Sequence, residues 1–131
     1  MAEKITVMRS QLGRARGLGS AKAGAEHWGV TRISATALVP LSLWFGWSVL
    51  GLLGAPQPAV AAWAGHPLNA ALLLALIFLT FHHAQAGLQV VYEDYIKGTS
   101  RAAAILGTKA VALLLGLMSS LAVLKLFLAA H

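Results

Sequence analysis

Residues 68–91 read LNAALLLALIFLTFHHAQAGLQVV, and residues 33–53 read ISATALVPLSLWFGWSVLGLL. With histidine neutral, no charged residue occurs between Arg32 and Glu93. Each run has the length of a bilayer-spanning helix, which needs about 20 apolar residues. Gly54-Ala55-Pro56-Gln57-Pro58 and Gly65-His66-Pro67 stand between them, and these helix breakers predict a loop. A third run, residues 102–130, is apolar except for Lys109 and Lys125. The uncharged segment between those lysines rises about 22 Å as helix. Lysines at its two ends can snorkel toward the headgroups and complete the crossing. The expectation is an all-α membrane protein with three transmembrane helices, at about 33–53, 68–91 and 102–130.

Composition points the same way. Of 131 residues, 58% are hydrophobic and 11% charged, yet the net charge is +6. The mean hydropathy is +0.73 and the isoelectric point about 10.4. Soluble domains carry about 25% charged residues, so an ordinary soluble enzyme is excluded, as is a disordered tail. Nucleic-acid-binding proteins are basic but rarely this apolar. Cysteine is absent, which excludes thiolate metal sites, iron–sulfur ligation and disulfides within the chain. The length suits one domain. Residues 1–31 read as a basic, flexible N-terminal arm and residues 32–131 as a single membrane-anchor domain.

Loop charges set the orientation. Lys4, Arg9, Arg14, Arg16, Lys22 and Arg32 crowd the N-terminal side, and Lys97 and Arg101 the second loop, whereas Gly54 to Pro67 carries none. The positive-inside rule places the N-terminus and second loop in the cytoplasm or its matrix equivalent. The arm is basic like a transit peptide but lacks the apolar core of a secretory signal. Its glycines, Gly13, Gly17, Gly19 and Gly24, argue against one long amphipathic helix.

The second helix carries the informative anomaly. His82, His83, Gln85 and Gln89 sit in an otherwise apolar span, where polar groups are costly unless they meet protein, water or a cofactor. With His82 at 0° and about 100° per residue, Gln85 falls at about 300° and Gln89 at about 340°. His83 falls at about 100°, with Val90 at about 80°, Asp94 at about 120° and Gly87 at about 140°. The first three form one stripe and the last four another. A glycine one turn beyond His83 lets a bulky group approach the backbone. Neutral imidazole is an axial ligand for haem iron; the alternative for His83 is an interhelical hydrogen bond. A second axial ligand would have to come from another chain, since His27, His66 and His131 are poorly placed. His82, sharing its stripe with two glutamines, reads as a packing residue.

Tyr92-Glu93-Asp94-Tyr95 ends this helix. Tyrosines there read as interface-belt residues, though an Asp-Tyr pair near an arginine also suits a quinone head. Arg32 enters the membrane edge in Arg32-Ile33-Ser34-Ala35. It can anchor to lipid phosphate, or pair with a haem propionate or with Asp94 at the same membrane level. Trp28, Trp44, Trp47 and Trp63 read as anchors or packing residues, and Pro40 predicts a kink in the first helix.

The run His83-Ala84-Gln85-Ala86-Gly87-Leu88-Gln89-Val90-Val91-Tyr92-Glu93-Asp94-Tyr95 resembles the signature of the small membrane-anchor (D) subunit family of succinate dehydrogenase, respiratory complex II. Arg32-Ile33-Ser34-Ala35 and the three-helix layout resemble that family too, from about Glu26 onward. The resemblance implies a subunit of a succinate:ubiquinone oxidoreductase of the respiratory chain and tricarboxylic acid cycle, without catalysis of its own. It packs with a cytochrome b-type C subunit into a haem-binding bundle and tethers a flavoprotein and an iron–sulfur subunit. The resemblance further implies that His83 is the axial ligand of a shared haem b iron, and that Arg32 lies in the haem-propionate and quinone region. It also implies that Tyr95 and Asp94 contact ubiquinone. FAD and the iron–sulfur clusters would lie only in partner subunits. The chain is similar in style to alphaproteobacterial members, which implies a bacterial inner membrane rather than a mitochondrial one. The alternatives are a haem-free structural anchor or assembly protein, and a fumarate reductase anchor.

Overall fold

The computed structural model of the chain describes Gln11 and residues 22–130, with side chains from Trp28 onward in the continuous stretch. Its helices are α1 (Lys22–Gly51), α2 (Gln57–Gly65), α3 (Pro67–Tyr95) and α4 (Thr99–Ala129). No strand occurs among the described residues. By contacts the chain divides after Val30; the description of packing below concerns Thr31 onward.

Three segments are long and apolar enough to cross a membrane: Trp28–Gly51, Pro67–Tyr95 and Thr99–Ala129. At 1.5 Å per residue even the shortest reaches about 36 Å, more than the roughly 30 Å of hydrocarbon in a bilayer. Their side chains face outward to match. Leu43, Leu53, Leu106 and Leu128 are between 68% and 72% exposed. In water such a surface would drive association; in lipid it is solvated. The interior is correspondingly small: Ala64, Ala70, Leu73 and Val123 form a buried cluster, with Trp44, Trp63 and Phe127 packed against it.

The helix bounds differ from the sequence expectation at several points. α1 begins at Lys22 rather than at about 33, so the last part of the basic arm is helical. Once a membrane helix has nucleated, each added residue propagates it cheaply, and Lys22–Val30 contains no proline to stop it. The remainder of the arm lies outside the described residues. α1 also stays helical through Pro40. The expected first loop contains α2 instead, with Pro56 as N-cap and a proline in the first turn. Proline is tolerated there because the first N–H groups of a helix have no partner to lose; the alanines that follow then carry the helix. α3 and α4 each begin slightly earlier than expected, at Pro67 and Thr99, and α3 runs on to Tyr95.

The connections are short and specific. Asn69 Nδ2 donates to Trp63 O at 2.8 Å, answering a carbonyl at the end of α2. Gly98 sits at φ +77° as N-cap of α4, in the left-handed region that side chains with a Cβ resist. It lets the chain reverse between the second and third membrane helices.

Trp44 of α1 stacks on Trp63 of α2 with centroids 5.8 Å apart and planes 24° apart. Such pairs contribute about 0.5–1.5 kcal/mol beyond their area. Thr108 Oγ1 of α4 donates to Tyr92 Oη of α3 at 3.1 Å, so Tyr92 is an interhelical partner and not only the belt residue its position implies. Gly65 closes α2 against the end of α4: a Cβ there would lie 2.8 Å from Leu126 O and 2.8 Å from Ala130 Cβ.

That approach makes Gly65 testable. Gly65→Ala should lower the thermal unfolding midpoint in detergent, at a cost of about 1–3 kcal/mol for overpacking. An unchanged midpoint would mean that α2 and α4 do not meet there.

Candidate functional site

The site is built around His83, half-buried on α3. Its Nδ1 lies 3.1 Å from Ser34 Oγ of α1. Ser34 is 3% exposed, and its hydroxyl donates to Thr31 O at 2.9 Å. Serine in an apolar helix commonly bonds back to a carbonyl one turn earlier. Here the same oxygen also meets the histidine. The two residues are far apart in sequence, and the medium explains why they meet: a polar side chain in hydrocarbon is costly unless protein answers it. Interhelical bonds of this kind contribute about 0.6 kcal/mol on average.

The stripe that His83 begins is open along α3. Gly87, Val90 and Asp94 are all exposed, and a Cβ added at Gly87 would have nothing within 4 Å. His83 is thus held from the α1 side and bordered by a bare helix face. That arrangement suits a flat group lying against the glycine, with the ring nitrogen not used by Ser34 available to it.

The second stripe has different surroundings. His82 stacks on Phe78 with centroids 5.9 Å apart and planes 9° apart. Gln85 Nε2 donates to Gln89 Oε1 at 3.2 Å, and Gln89 Nε2 donates to Glu93 Oε1 at 2.8 Å. Glu93 therefore completes a ladder of i, i+4 bonds that satisfies the glutamines along one helix. His82, Gln85, Phe81, Lys109 and Gly116 border an open groove of about 390 Å³ between α3 and α4. His82 is a packing residue of that groove and does not join His83.

Arg32 is exposed and lies two residues before Ser34 on α1, a rise of about 3 Å. Since Ser34 touches His83, Arg32 lies near the level of His83. Asp94 and Tyr95 lie about 16–18 Å farther along α3, in its last turn. Both are exposed, Tyr95 to 83%. The contact between Ser34 and His83 joins α1 to α3 within one turn of Arg32.

A metal site contained in this chain is not formed: no group of three or more His, Cys, Asp or Glu converges among the described residues. His66 is exposed at the junction of α2 and α3. The side chains of His27 and His131 lie outside the described residues. Spacing alone does not find Ser34, because a period along one helix carries no information about a partner on another. Glu93 was within reach of the i+4 spacing that begins at Gln85.

Comparison with known proteins bears on what this geometry serves. Residues 6–123 match the family model described as succinate dehydrogenase/fumarate reductase transmembrane subunit. The chain is 36% identical over 88 residues to the succinate dehydrogenase hydrophobic membrane anchor subunit of Rickettsia bellii (strain RML369-C), covering 67% of this chain and 70% of the relative. It is 33% identical over 92 residues to the subunit of the same description from Paracoccus denitrificans, covering 70% of this chain and 71% of the relative. No solved structure matches it at a significant level. The chain belongs to the succinate dehydrogenase/fumarate reductase transmembrane subunit family, among its hydrophobic membrane-anchor subunits.

Proposed function

We propose that this chain anchors a succinate:ubiquinone oxidoreductase in the membrane, gives His83 as one axial ligand to a haem b, and forms part of the quinone-reduction site. The observation that carries the reading is His83 itself. It is the one described histidine engaged through a single ring nitrogen by a buried side chain, beside a glycine face with nothing in front of it. The other axial ligand would come from a second anchor subunit packed on that face. FAD and the iron–sulfur clusters belong to the partner subunits that oxidise succinate.

When bound, the haem supplies a one-electron centre within the membrane. The residues of this chain hold and tune it. His83 offers a ring nitrogen as ligand. Arg32, near the same level, places a cation where a propionate would need one. At the end of α3, the Tyr95 phenol can donate a hydrogen bond to a quinone carbonyl. The Asp94 carboxylate beside it can orient a basic group or accept a proton. Their exposure suits a site completed by other subunits. The clustered basic residues put that end of α3 on the cytoplasmic side of a bacterial inner membrane, where an iron–sulfur subunit would dock. The relatives named above are succinate dehydrogenase subunits, which favours succinate oxidation over the fumarate reductase direction.

Three measurements on the detergent-solubilised complex test the reading. His83→Ala should abolish the six-coordinate low-spin b-type spectrum; a spectrum identical to wild type would leave this chain as a haem-free anchor. Tyr95→Phe should slow succinate-driven quinone reduction at least about tenfold, the loss expected when a hydrogen bond worth about 1.4 kcal/mol is removed. Succinate oxidation by an artificial acceptor should stay near wild type, whereas equal loss of both activities would indicate misassembly. Arg32→Gln should lower the haem midpoint potential, because removing a nearby cation disfavours the reduced iron's extra electron. An unchanged potential would place Arg32 on lipid instead.

A further inference from the structure

We infer that Ser34 is a positioning residue that holds His83 in one tautomer, with Nδ1 protonated and Nε2 bare, and so selects Nε2 as the ligating atom. The inference deepens the proposed haem role of His83 and rests on it.

The argument is a count of protons. Ser34 Oγ lies 2.9 Å from Thr31 O and 3.1 Å from His83 Nδ1. A carbonyl oxygen only accepts, so the single hydroxyl proton goes to Thr31. The serine oxygen then has lone pairs and no proton left for the histidine. The contact with Nδ1 is a hydrogen bond only if Nδ1 carries the proton. The opposite assignment turns the hydroxyl toward Nδ1 and leaves two bare oxygens facing each other at 2.9 Å. Ser34 is 3% exposed, so bulk water cannot supply a replacement proton. In the neutral ring, a proton on Nδ1 leaves the lone pair on Nε2.

Two consequences follow for a bound iron. The ring plane is fixed by its bond to a different helix, so the ligand is oriented before the metal arrives. Donation from Nδ1–H to an oxygen also makes the imidazole a stronger electron donor, the effect by which outer partners tune metal-ligating histidines. A stronger donor favours the oxidised iron and lowers the midpoint potential. One turn of α1, Thr31-Arg32-Ile33-Ser34, thereby carries two opposing controls on the same centre. Ser34 acts through the ligand and lowers the potential, while Arg32 acts through space and raises it.

The test uses the assembled complex with Ser34→Ala, Ser34→Thr and His83→Ala, read by haem content, midpoint potential and the low-spin electron paramagnetic resonance signal. Ser34→Ala should keep the haem six-coordinate, weaken its retention about tenfold, raise the midpoint potential and shift the low-spin g values. Ser34→Thr, which keeps a hydroxyl at the position, should restore potential and g values toward wild type. If Ser34→Ala does not assemble, Ser34→Cys carries the same test, since sulfur is a weak acceptor and should shift both readings in the same direction. Wild-type potential and g values in Ser34→Ala or Ser34→Cys, with axial ligation lost in His83→Ala, would overturn the role of Ser34 and leave the haem reading intact. Intact six-coordinate haem in His83→Ala would overturn both.

Discussion

A polar side chain in hydrocarbon has no water to turn to, and this constraint organises the chain. Several polar groups within the spans are answered by another part of the protein. Gln85, Gln89 and Glu93 answer one another along α3. Tyr92 and Thr108 answer each other across α3 and α4. Ser34 and His83 answer each other across α1 and α3. The last of these does more than satisfy two groups. It joins the first membrane helix to the second and engages one ring nitrogen of His83.

The division of α3 into two faces follows from helical spacing, and the structure gives each face different neighbours. His82 and Gln85 border the groove shared with α4 and Lys109, and Gln89 bonds to Gln85 along the same face. The face with His83, Gly87, Val90 and Asp94 meets α1 at one point and is otherwise bare. Adjacent histidines thus have different neighbours because about 100° of rotation separates them. A bare, polar-marked stripe on a membrane helix is what a subunit contributing half of a shared site would present.

Much of this was legible in the sequence. The three spans appear as uncharged runs of bilayer length, and the two stripes of α3 appear from spacing alone. The short helix α2 was not legible, because Pro56 and Pro58 read as breakers when they occupy the one part of a helix that tolerates them. The early start of α1 was hidden by the glycines and charges of the arm. Ser34 was quoted within Arg32-Ile33-Ser34-Ala35 yet its contact was invisible, since it depends on how two helices cross.

The most direct measurement is an experimental structure of the assembled complex with haem bound. It should place His83 Nε2 within bonding distance of the iron, Nδ1 toward Ser34 Oγ, and a histidine of another subunit on the opposite axial side. Iron held without His83, or bonded through its Nδ1 with Ser34 turned away, would contradict the central claim.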